Sequence, residues 1–187
     1  MSKFKSKRKN IFCIEGDWET DLRKSKSVLG VLEFLKSISK IDFIHRNCST
    51  KIEFINRLEQ FKKYSSYSIL YLAFHGSSNT IHLGDETINL NEIQEILKDK
   101  LENKIIYFGS CQTLKTSNIN LSKFIEVTKA SCLVGFAKDV DFIEGTVLDL
   151  LFFDMAQKYI LSNSLIAKFD KEHKALSNKY GFTIKSN

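Results

Sequence analysis

His75-Gly76 and Gly109-Ser110-Cys111 each stand at the end of an apolar run, and together they carry the two groups that thiol catalysis requires. A cysteine attacks a carbonyl as its thiolate. A neighbouring imidazole takes the thiol proton and later returns it to the leaving amine. The tetrahedral oxyanion formed on the way needs two preorganised donors, and the backbone N–H groups of Gly76 and Cys111 are candidates for them. Carboxylates gather at corresponding places, Glu15 and Asp17 after the first apolar run and Asp139 and Asp141 after the last. An acidic rim would pair with a substrate Lys or Arg. Asp141 has a competing role as a helix N-cap, and Asp17 as a solvated charge.

The remaining cysteines and histidines fit this chemistry less well. Cys13 and Cys132 fall within apolar runs, as core residues do. Cys48 precedes a helix and is expected to be partly exposed, but no base accompanies it. His82, in the segment after His75, is the rival base, whereas His45 and His173 lie away from the other candidates. Trp18 either lines the crevice or packs. No pair of His or Cys has metal-ligand spacing, and neither GxGxxG nor a P-loop pattern occurs, so no metal and no cofactor are expected. The stretch Cys111 to Asn118 lacks an arginine for a phosphatase loop.

These groups must be positioned by the elements between them. Apolar runs at Asn10–Glu15, Ile41–His45, Ser68–Phe74, Lys104–Phe108 and Ser131–Ala137 read as buried strands. Helical stripes separate them: Ser25–Lys40 with Val28, Leu32, Leu35 and Ile38, a helix capped by Ser49 or Thr50, another over Asn91–Leu101, and a short one over Ser122–Thr128. Asp141 with Glu144, like Thr50 with Glu53, has capping-box spacing. A last helix is expected over Ser164–Tyr180, ended by Gly181. Gly84-Asp85 marks a small hairpin after the histidine loop. Strands alternating with helices predict an α/β fold with a mostly parallel central sheet of order 2-1-3-4-5. The functional crevice of such a sheet lies beyond the carboxyl ends of its strands, where the candidate residues fall.

The blocks Y-L-A-F-H-G and I-I-Y-F-G-S-C, in that order, resemble the catalytic blocks of caspase-like cysteine proteases, and most of all bacterial CHAT-type peptidases. The segment L-V-G-F-A-K-D-V-D-F-I-E-G resembles the strand and helix that follow the cysteine block there. The resemblance implies a three-layer α/β/α sandwich, a His75/Cys111 dyad, Gly76 as an oxyanion donor, and Glu15, Asp17, Asp139 and Asp141 as the candidate substrate-binding residues. It further implies an endopeptidase that cleaves a protein partner, with a role in antiphage defence and a separate activating partner. The block differs from the Gln-Ala-Cys type of true caspases, and Gly109 stands where metacaspases place an aspartate. A pocket selective for Asp is therefore not expected. The reading from another class is a catalytically inactive caspase-like or other α/β protein-binding module.

Composition bounds these readings. The chain has 187 residues, 28 Lys plus Arg, 22 Asp plus Glu and a net charge of +6. Lys3, Lys5, Lys7, Arg8 and Lys9 contribute five of those charges, leaving 23 bases against 22 acids in the rest. Residues 1–10 thus read as a basic flexible arm on a single domain, 11–187. Nucleic acid is not expected as a partner except through that arm. No apolar run approaches the ~20 residues that span a bilayer, and no signal-peptide pattern appears. The absence of CxxC spacing points to a reduced, cytoplasmic setting.

Overall fold

The computed structural model describes residues 8–21, 23–24, 26–158 and 163–186. Lys3, Lys5 and Lys7 of the expected arm, and Ser25 of the first expected helix, lie outside the described residues. The five apolar runs form strands β1 (Asn10–Glu15), β2 (Phe43–Asn47), β3 (Tyr67–Ala73), β7 (Ile105–Gly109) and β8 (Cys132–Phe136). They pair in parallel in the order β2-β1-β3-β7-β8, the order expected from the alternation of strands and helices.

Side chains alternate between two apolar layers because strand neighbours point to opposite faces. Phe12, Ile14, Leu70, Leu72, Ile106, Phe108 and Leu133 pack under α2 (Lys51–Phe61), α3 (Leu90–Ile96) and α4 (Asn118–Thr128). Ile11, Cys13, Ile69, Tyr71, Ala73, Ile105, Tyr107, Val134 and Phe136 face the other way. There they meet α1 (Leu29–Ser39), α5 (Phe142–Lys158), α6 (Asn163–Glu172) and α7 (Lys174–Tyr180). The result is a helix–sheet–helix sandwich.

Three features depart from the sequence expectations. A sixth strand, β9 (Phe182–Ser186), runs antiparallel along β8 at the sheet edge. The expected hairpin around Gly84-Asp85 forms, from β5 (Thr80–Leu83) and β6 (Glu86–Asn89), but it gains a third strand, β4 (Gly76–Ser77), and makes a separate sheet. The last helix is interrupted at His173, so α6 and α7 are distinct. The stripe on α1 is also narrower than its sequence suggests, since Ile38 is 64% exposed.

The caps explain several boundaries. Thr50 Oγ1 accepts from Glu53 N at 3.3 Å, and Asn89 with Glu92 forms a reciprocal capping box that starts α3 earlier than expected. Asp141 Oδ1 accepts from Ile143 N at 2.9 Å and Glu144 N at 3.1 Å. Glu144 does not complete that box, because its carboxylate takes Lys179 and the Tyr180 hydroxyl instead. Gly181, at φ 57°, closes α7 in the left-handed region that glycine adopts without strain. Among the described residues no helix is long and apolar enough to cross a membrane.

Candidate active site

Strands β3 and β7 are neighbours in register, Ala73 opposite Gly109, so the loops that follow them leave the sheet side by side. Their closeness is set by Gly76. A Cβ there would lie 2.6 Å from the Cys111 carbonyl oxygen and 2.6 Å from Thr113 Oγ1, so only glycine lets the histidine loop settle on the cysteine loop. The buried Thr113 hydroxyl lies 2.6 Å from Ser110 Oγ and 3.3 Å from Cys111 O, which ties the turn together from below.

The cysteine loop is fastened to the loop between β8 and α5. Gln112 N donates to Lys138 O at 3.1 Å and Leu114 N to Phe136 O at 2.9 Å. Gln112 takes a left-handed conformation, φ 52°, and its side-chain amide donates to Asp139 Oδ1 at 2.8 Å. Val140 N donates to Cys111 Sγ at 3.3 Å, which orients the half-buried sulfur.

His75 is exposed, and its Nε2 lies 2.9 Å from the Trp18 carbonyl oxygen. A carbonyl only accepts, so this bond assigns the proton of the neutral ring to Nε2 and leaves Nδ1 as the acceptor nitrogen. Trp18 also packs edge-on against the imidazole, with centroids 5.2 Å apart. The indole is itself anchored, because its Nε1 donates to Glu15 Oε1 at 2.6 Å. Glu15 further accepts from Val28 N at 2.7 Å and Ser27 Oγ at 2.6 Å, and meets His45 Nε2 at 2.5 Å. Burial alone would raise the Glu15 carboxyl, but His45, Ser27, Trp18 and the Val28 N–H together hold it below its ordinary value.

His75 and Cys111 line one cavity of about 280 Å³. One wall is a face of α5, where Phe142, Gly145, Thr146 and Asp149 follow helical spacing. The cavity also reaches Val28, Tyr71, Phe74, Phe136 and Val140. Asp149 is buried, and it accepts from Tyr71 OH at 2.5 Å and from Tyr107 OH. Burial pushes its carboxyl up to about 6 despite those two hydrogen bonds.

The four rim carboxylates separate. Of them only Asp141 lines this cavity, and it is engaged as the cap of α5. Asp17 accepts from Ser49 Oγ at 2.7 Å and lines, together with His82, a second groove that shares His75 and Trp18 with the first. Asp139 holds Gln112, and Glu15 is 2% exposed with its oxygens occupied, an anchor rather than an open charge.

Among the rival groups, His82 bonds Ser77 Oγ at 2.8 Å and stands outside the Cys111 cavity, while His173 packs edge-on against Phe169. Cys48 is buried, contrary to the exposure expected for it, because α2 and the first strands close over it. Burial pushes the Cys48 thiol up to about 11, Cys132 to about 12, and Cys13 well above the ordinary thiol value. Among the described residues no cluster of three or more His, Cys, Asp and Glu could hold a metal ion.

Sequence reasoning missed Asp149, the Trp18 carbonyl and Val140. A single aspartate inside an apolar helix, Leu148-Asp149-Leu150, was the available signal for the first. The other two act through their backbones, which side-chain identity does not encode.

The model of a family of unknown function (DUF6642) matches residues 8–185, and the chain belongs to that family. No curated protein matches it in sequence. Among solved structures it is similar to the crystal structure of the Drosophila initiator caspase Dronc. The two are 10% identical with a TM-score of 0.60, over 97% of this chain and 80% of that one. At that identity the likeness establishes a caspase-like fold.

Proposed function

We propose that this DUF6642 chain is a cysteine endopeptidase in which His75 and Cys111 form the catalytic dyad. The observation that carries the reading is their convergence on one cavity, with His75 held through Nε2 so that Nδ1 is the base. Nδ1 accepts the Cys111 thiol proton as Sγ attacks the scissile carbonyl carbon. The oxyanion is met by the N–H groups of Gly76 and Cys111. The amide C–N bond then breaks, the departing amine takes the proton from His75, and a water molecule activated by the same imidazole hydrolyses the thioester.

The order of the His-Gly and Gly-Ser-Cys blocks supports a finer placement with the CHAT-type peptidases. On that placement residues 11–187 are one catalytic unit in the bacterial cytoplasm, acting on a dedicated protein in antiphage defence. One feature favours a second reading, a protein-binding module with an idle dyad: the sulfur is hydrogen-bonded to Val140 rather than to His75. A separate activating partner that shifts the loop between β8 and α5 reconciles the two.

The test is covalent labelling of the full chain with peptidyl acyloxymethyl ketones of mixed sequence, read by mass spectrometry. Label is expected on Cys111, lost in Cys111→Ala and slowed about 100-fold or more in His75→Ala. Label on another cysteine, or a rate indifferent to His75, sinks the proposal.

A further inference from the structure

We infer that the cavity beside Cys111 is a specificity subsite for a lysine or arginine side chain on the residue preceding the scissile bond, with Asp149 as its counter-charge. The inference rests on the endopeptidase reading and adds the substrate class. The cavity is built in two zones. Val28, Phe74, Phe136 and Phe142 supply apolar surface for a methylene stem. Gly145 lets Val140 pack closely against the middle of the α5 wall, since a Cβ there would approach Val140 Cγ2 to 2.9 Å. Asp149 brings a carboxylate to the same lining, one helical turn further along.

That carboxylate has acceptor capacity to spare. An ionised carboxylate offers about four lone-pair sites. Asp149 is 4% exposed and receives one hydrogen bond on each oxygen, both from tyrosine hydroxyls. Tyr71 and Tyr107 are held protonated by burial and supply no positive charge. Among the described residues no ion pair reaches Asp149. Lys26 also lines the cavity, but its Nζ is drawn to Glu19 Oε1 at 2.5 Å. A buried acid without a counter-ion is costly to keep charged, and a cationic side chain from a substrate completes it. The acid that selects a basic residue is therefore on the cavity lining from α5, not on the rim.

The test compares acyloxymethyl ketone peptides that differ only at that residue: Lys, Arg, and the neutral isosteres norleucine and citrulline, with Asp as the opposite charge. Cys111 of the native chain is expected to be labelled at least about 100-fold faster by Lys or Arg than by the matching isostere, as for a desolvated charge pair. Asp149→Asn is expected to shrink that ratio to within about threefold. If this variant does not fold, the native-chain ratio alone decides. Equal rates for Lys and norleucine, a preference for Asp, or a Lys advantage that survives Asp149→Asn overturns the inference and leaves the dyad intact. No labelling with any peptide overturns the endopeptidase reading and takes the inference with it.

Discussion

Two buried carboxylates with opposite electrostatic fates frame the site at the scale of single residues. Glu15 is held ionised by four donors, so its folded-state carboxyl lies below the ordinary value of 4.5. Its contribution to stability is in place above that value and is lost as the pH falls through the folded value. Asp149 behaves in the reverse sense. Its carboxyl is raised from 3.8 to about 6, so the folded protein binds the proton more tightly than the unfolded chain does. Ionising it costs roughly 3 kcal/mol above pH 6, and lowering the pH from 7 to 5 returns about 1 kcal/mol of that. Chemical denaturation of the native chain at pH 7 and pH 5, beside Asp149→Asn, checks the sign: the gain on acidification should vanish in the variant. Glu15→Gln acts elsewhere. It strips the anchor under Trp18, and about 2–4 kcal/mol of stability should go with it at pH 7. Cys111 labelling should slow about tenfold even in the folded fraction, because the carbonyl that fixes His75 is displaced. A variant that loses stability but labels at the native rate would confine Glu15 to the core.

At the scale of elements, the site is three loops stitched by backbone contacts. The histidine loop meets the cysteine loop at Gly76, and the cysteine loop meets the loop before α5 through Gln112, Leu114 and Val140. Gly76→Ala places a methyl group where 2.6 Å separates it from the Cys111 carbonyl oxygen, a contact that one loop must yield to relieve. The expected loss is about 1–3 kcal/mol of stability and about 100-fold in Cys111 labelling, measured by thermal unfolding and by the same electrophiles. The strands that carry these loops were legible because runs such as Ile69 to Phe74 are apolar on both faces. Edge strand β9 was not: Phe182-Thr183-Ile184-Lys185-Ser186 is short and half polar, and it is a strand because β8 offers an open edge. The break at His173 had no glycine or proline to announce it. The proposed pair, His75 and Cys111, was legible because both are side chains at strand ends, whereas the contacts that fix their loops run through main-chain atoms of Trp18, Lys138 and Val140.

For the whole molecule, the two faces of the sheet are unequal partners of the site. Tyr71 and Tyr107 are register partners on β3 and β7, and their hydroxyls meet Asp149 from the face covered by α1, α5, α6 and α7. Phe182 on β9 closes that layer, its ring 6.1 Å from Tyr107, 5.2 Å from Phe136 and 5.6 Å from Phe169. Leu58 on α2 is buried in the opposite layer, among Phe12, Phe61 and Leu70. Truncating either residue removes comparable apolar volume, about 3–5 kcal/mol for Phe182→Ala and 2–5 for Leu58→Ala. The functional consequences should differ, because a tightly packed interior passes displacements to its direct neighbours. At a temperature where both variants remain folded, Phe182→Ala should slow Cys111 labelling by Lys peptides several-fold, through the Tyr107–Asp149 contact. Leu58→Ala should leave it within about twofold of the native rate. Equal slowing in both would mean that the site responds to global stability and not to the packing of the layer beneath it.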